Sequence, residues 1–100
     1  DRGDLSRYVK ISKIPIIQIK ILKKSLKLKK ETYVATNLLE TMVLSKNPTR
    51  AESNDVFFSL LSGASGLVLA AETAIGKYPF ECINFINECI MNYNKFLKKR

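Results

Sequence analysis

The sequence predicts an α/β fold with parallel strands joined by helical crossovers, and three observations predict it. Segments of helical and of strand-like periodicity alternate along the 100 residues. The run "LVLAA" at Leu67 to Ala71 is short, small and wholly apolar, as in a strand covered on both faces. Turn residues and a proline-started helix follow that run at once, in "ETAIGKYP". With 46% apolar and 26% charged residues, the composition suits one small domain, residues 1–100, with a thin core.

The chain opens on Arg2-Gly3-Asp4, which reads as a turn or loop ahead of the first helix. From Ile14 to Leu28, Ile14, Ile17, Ile21 and Leu28 recur at helical spacing, with Pro15 near the start. "IQIKIL" and "LKLK" also alternate like strands, and the spacing decides for a helix. Thr32 to Ala35 is a short β-rich run, and Thr36 to Val43 turns back toward helix. "TRAE" at Thr49 to Glu52 is a capping box that starts a helix carrying Val56, Phe57, Leu60 and Leu61, ended by Gly63. Gly66 to Ala70 is the second strand. Pro79 opens a last helix whose stripe Phe80, Ile83, Ile86, Ile90, Tyr93 and Leu97 keeps a 3.6-residue period. In such folds reactive groups collect at the carboxyl ends of strands. Three polar clusters occupy such places: Arg2-Gly3-Asp4, Thr36-Asn37 and Glu72-Thr73. Each has a plainer reading alone, as a turn, a helix cap and a solvated loop respectively.

The net charge of +8 is unevenly spread: residues 1–30 hold ten Lys/Arg against Asp1 and Asp4, whereas residues 31–94 carry a net −4. In Lys20 to Lys30 the lysines alternate with Ile21, Leu22, Leu26 and Leu28, without the aromatic interleaving that stacks bases, so no nucleic-acid partner is expected. That stretch reads as a solvated helix face, and a phosphate-binding or membrane-surface patch stays open beside it. No apolar stretch approaches the roughly 20 residues that cross a bilayer. Beginning at Asp1 rather than methionine, the chain reads as a piece of something longer. Cys82 and Cys89 lie seven apart on a predicted helix, a rise of about 10 Å, beyond the roughly 7 Å reach of a disulfide. With no histidine in the chain, histidine-dependent triads are excluded within it and a zinc site is not expected. "AAETAIGKY" fails as a P-loop, since Ala71 stands where the first glycine should be and Tyr78 where a Ser/Thr must bind magnesium.

In order and spacing the clusters become specific. "RGDL" at Arg2 to Leu5, "ATNLLETM" at Ala35 to Met42, "PTRAE" at Pro48 to Glu52, "DV" at Asp55 and "AAETAIGKYP" at Ala70 to Pro79 resemble the pyruvate kinase family, where "RGDLG", "ATQMLESM", "PTRAE", "DV" and "SGETAKGKYP" follow in that order. The resemblance covers about the first ninety residues. It implies the last part of a (β/α)8 barrel: the end of strand 6, helix 6, and the seventh and eighth strand-helix units. It further implies a cytoplasmic glycolytic enzyme that passes the phosphoryl group of phosphoenolpyruvate to ADP and protonates the enolate to pyruvate. Catalysis would belong only to the complete chain, a homo-oligomer.

Residue by residue, the resemblance gives Asp4 to a divalent metal, Mg2+ or Mn2+, beside the substrate carboxylate. It gives the N–H groups of Gly3 and Asp4 to gripping that carboxylate. Thr36 would bond the same carboxylate near the proton-delivery path, and Glu72, near that path too, would face the mouth of the barrel. K+ is implied as well, with its ligands, the phosphoryl-stabilising lysine, the second metal carboxylate and the lid domain all upstream. The departures matter equally. Ala70 and Ala71 replace the family's serine and glycine, removing a hydroxyl that could organise a proton-relay water, while Ser6, Asn37 and Ile75 replace glycine, glutamine and lysine. They keep open a second reading, a non-catalytic relative serving as a binding or assembly element.

Overall fold

The computed structural model describes residues 1–35 and 38–99. Its helices are α1 (Arg2–Leu5), α2 (Ile14–Lys27), α3 (Arg50–Leu61), α4 (Ala71–Ala74) and α5 (Pro79–Lys98), with single 3-10 turns at Ile11–Lys13 and Glu40–Val43. Two strands, β1 (Tyr33–Ala35) and β2 (Gly66–Val68), pair in parallel with Tyr33 opposite Gly66, Val34 opposite Leu67 and Ala35 opposite Val68. The α/β order with parallel strands is therefore the observed one, in a chain that is mostly helical.

The core is built where helices cross the strand layer. Leu22 of α2, Val34 of β1, Val56 of α3 and Cys82 of α5 are buried together with Leu38, Leu39 and Met42, and Leu67, Phe85, Ile86 and Cys89 pack against them. Thr49 caps α3 as the capping box requires: its hydroxyl accepts from the Glu52 N–H at 3.1 Å, and Glu52 accepts from the Thr49 N–H at 2.9 Å. Gly63, at φ +109°, ends that helix in a left-handed conformation that suits glycine, and the Ala64 N–H closes back on the Ser59 carbonyl at 3.1 Å. Proline occupies the first turn of both α2 and α5. Both cysteines are free thiols.

Five details differ from the sequence expectation. Arg2-Gly3-Asp4 is one turn of helix rather than a loop, because the Asp1 carboxylate caps it. The second strand stops at Val68, before Leu69 and Ala70. Of the helix expected over Thr36 to Val43, Thr36 and Asn37 lie outside the described residues and the rest forms only the 3-10 turn. The reason is tertiary: the Ala35 carbonyl and Leu39 N–H, which a helix would join, are drawn to the side chains of Arg2 and Glu72 instead.

The two long helices also bury their predicted apolar stripes only in part. In α2, Gln18 and Leu22 are buried, while Ile21 and Leu28 are exposed. Gln18 donates to the Ser59 hydroxyl on α3 at 3.3 Å, so a polar pair joins these helices beside the buried Leu22 and Val56. In α5 the inward residues are Cys82, Phe85, Ile86 and Cys89, whereas Phe80, Ile83 and Leu97 face outward. Small Cys82 lets α5 approach α4, its thiol reaching the Glu72 carbonyl at 3.9 Å. Farther along, the Phe57 ring on α3 takes Tyr93 and Phe96 edge-on, at 5.4 and 5.7 Å between centroids.

Candidate active site

Parallel pairing puts the carboxyl ends of β1 and β2 on one side, and there the chain's motif residues are tied to one another. Arg2 makes the first tie. Its Nε donates to the Ala35 carbonyl at 3.3 Å, at the last residue of β1, while its Nη1 donates to Asp55 Oδ1 on α3 at 2.6 Å. One guanidinium thus fixes α1 to a strand end and to a helix, a task suited to the planar fork of arginine.

Glu72 makes the second. It is only 2% exposed, and its two oxygens accept from separate backbone donors: Oε2 from the Leu39 N–H and Oε1 from the Ala70 N–H, each at 3.0 Å. A carboxylate this buried is stabilised by such charge-assisted bonds. They join the loop after β1 to the loop after β2. Glu52 makes a third tie, because beyond its capping bond its Oε2 accepts from the Thr41 N–H at 2.7 Å. Residues 35, 39 and 41 are therefore held by Arg2, Glu72 and Glu52 in turn. The position of Thr36, itself outside the described residues, falls between the first two anchors.

Gly3 and Asp4 take part in the N-terminal cap of α1. Their N–H groups point at one oxygen, Asp1 Oδ1, at 2.7 and 3.2 Å. The Asp4 side chain is exposed. As a hard oxygen donor it suits a hard cation, but among the described residues no group of three His, Cys, Asp or Glu gathers to hold a metal. Behind Glu72, burial and then the nearby Glu72, Glu81 and Glu52 charges push the Cys82 thiol above its ordinary pKa. A recess of about 360 Å³ beside this corner is lined by Glu40, Thr41, Val43, Leu44, Ala70 and Glu72. The alanine at 70 puts no hydroxyl there.

Asp4, in α1, is open to solvent, whereas Glu72, after β2, is turned inward among backbone donors. Sequence reasoning did not single out Arg2, or Glu52 beyond its cap, as the residues that shape the loop after β1. The clue available was their presence in the same ordered motifs.

Parallel strands with a helical crossover and polar groups at the carboxyl ends fit an α/β barrel-type fold. The family model for the pyruvate kinase barrel domain matches residues 1–83. The chain belongs to the pyruvate kinase family. It is 40% identical over 97 residues to pyruvate kinase of Thermotoga maritima, covering 97% of this chain and 21% of that protein. It is 44% identical over 91 residues to pyruvate kinase of Pyrobaculum aerophilum, covering 91% and 20%. The crystal structure of a pyruvate kinase from Cryptosporidium parvum superposes with a TM-score of 0.92 at 34% identity, covering 94% of this chain and 19% of that one. The chain spans about a fifth of the length of these relatives.

Proposed function

We propose that this segment is the closing part of a pyruvate kinase barrel, with β1 and β2 as its seventh and eighth strands, and that it supplies part of the phosphoenolpyruvate site. What supports the reading is the family match over residues 1–83, together with the Arg2 bond that ties α1, whose Gly3 and Asp4 N–H groups here cap on Asp1, to the end of β1. In the complete chain the substrate carboxylate would take the place of the Asp1 carboxylate. The backbone donors favour an anion there, and glycine lets it come close. Asp4 would contribute one ligand to Mg2+ or Mn2+, which would neutralise charge on the transferring phosphoryl group. K+ would be held by residues outside this segment. Thr36 would meet the substrate from a loop whose anchors, Ala35 and Leu39, are fixed by Arg2 and Glu72. Glu72 would serve that chemistry by positioning, since both its oxygens are engaged.

The test is Mg2+-dependent pyruvate formation from phosphoenolpyruvate and ADP by the full-length chain. Asp4→Asn and Thr36→Ala should each lower kcat/KM at least about a hundredfold, the scale of losing one transition-state contact. Wild-type rates in both variants would refute the assignment. Ala70, where the family has serine, favours a second reading: a relative that binds substrate without turning it over. Bound phosphoenolpyruvate with no pyruvate formed would decide for that one. The full-length protein is proposed to be a cytoplasmic homo-oligomer.

A further inference from the structure

The outward face of α2 carries a charge that the proposed chemistry does not use. Residues 5–30 hold nine Lys/Arg and not one carboxylate. Lys20, Lys23, Lys24 and Lys27 recur at helical spacing on one side of α2, opposite the buried Gln18 and Leu22, and all four are exposed. Like charges so spaced repel one another. Among the described residues none of these nine cations has a carboxylate partner, the ion pair found there being Arg2 with Asp55. Ile16, 54% exposed, lies in the same row as Lys20, Lys23 and Lys27, and Leu28 is exposed where the helix ends. Lys29, at φ +57°, then turns the chain out of the helix, and Lys30, also exposed, follows it.

We propose that this face docks the protein reversibly on an anionic lipid surface, the lysines among the headgroups and Ile16 and Leu28 at the apolar boundary. Charge complementarity defines a polyanion, and three features select lipid among polyanions. The helix uses lysine throughout, a flexible point charge that suits a smeared negative field better than a fixed carboxylate pair, for which arginine's fork is the better match. No aromatic side chain is interleaved to stack bases. The exposed aliphatic side chains share the cationic face, as in helices that lie at a membrane interface. Clusters of four to eight lysines of this kind bind acidic lipids, and a single patch without a lipid anchor gives reversible attachment.

The experiment is vesicle co-sedimentation of the full-length protein. On phosphatidylcholine vesicles containing about 30% phosphatidylserine it should bind, on pure phosphatidylcholine it should not, and binding should fall steeply between about 0.05 and 0.5 M salt. The combined Lys20→Glu, Lys23→Glu, Lys24→Glu and Lys27→Glu variant should bind at least about tenfold more weakly, with an unchanged thermal melt. Ile16→Ser with Leu28→Ser should weaken binding less while leaving its salt dependence intact. Equal binding to neutral vesicles, undiminished binding by the lysine variant, or tight binding to poly-glutamate or single-stranded RNA with none to vesicles would each overturn the proposal.

Discussion

Glu72 concentrates the consequences of the fold at the residue scale. Its carboxylate is buried and each oxygen accepts from a backbone N–H belonging to a different loop. Replacing it with glutamine keeps one acceptor but sets an amide NH2 against the other N–H donor. Glu72→Gln should therefore destabilise the full-length protein by about 3 kcal/mol, since bonds to a charged group are worth about 1.5–3 each and a stranded donor adds cost. Thermal denaturation measures it, and an unshifted melting temperature would show that the clamp carries no weight. Cys82, below it, is a neutral buried thiol whose pKa is raised by burial and by the acids around it. The unfolded thiol ionises near its ordinary value of about 8.5, so the folded state binds more protons than the unfolded one above that pH. Its contribution to stability is accordingly full below about pH 8.5 and lost as pH climbs toward the raised folded value. Cys82→Ala should flatten that alkaline decline in a denaturation series from pH 7 to pH 10. A decline as steep as in the parent would remove Cys82 as its cause.

At the scale of elements, the tight corner after α4 offers the sharpest check. A Cβ added to Gly76 would run into the Glu72 backbone carbonyl, and the Val43 Cα closes the other side at 3.3 Å. Backbone cannot give way as a side-chain tip does. Gly76→Ala should cost about 2 kcal/mol, the usual scale of overpacking, and lower the melting temperature; retained stability would mean the corner relaxes freely. What the sequence made legible follows from whether a signal is local. The α3 cap at Thr49, its end at Gly63 and the proline starts of α2 and α5 are local, and each is found where expected. The loop after β1 was not legible, because Arg2, Glu72 and Glu52 are distant donors and acceptors that outbid its helical bonds. The apolar stripes of α2 and α5 marked only part of the buried faces, for a related reason. Periodicity marks every apolar side chain, including Ile21, Ile83 and Leu97, which the described contacts leave exposed. The roles expected of Gly3 and Asp4 rest only on the motif order, since nothing in "RGD" alone favours a binding site over a turn.

At the scale of the whole molecule, those uncovered faces add up. The accessible surface is 7198 Å², whereas a compact 11.3 kDa protein exposes about 5,700 Å². The excess of about 1,500 Å² is close to a standard protein–protein interface in size. Its apolar share is visible in Tyr8, Ile11, Ile75 and Phe80, all more than three-quarters exposed. It continues in a groove of about 380 Å³ between α1, α2 and the free edge of β1, lined by Leu5, Tyr8, Ile21 and Val34 among others. Each strand also pairs on one side only among the described residues. Unpaired edges and bare apolar faces drive association of like chains. Residues 1–100 expressed alone should therefore elute as oligomers or aggregates, bind a hydrophobic dye and form no pyruvate from phosphoenolpyruvate and ADP. Lys20 and its neighbours oppose this by charge repulsion, so raising the salt, which screens them, should increase the association. Size-exclusion chromatography at low and high salt reads both effects. A sharp monomer peak with no dye binding would mean that these surfaces close on themselves and need no partner.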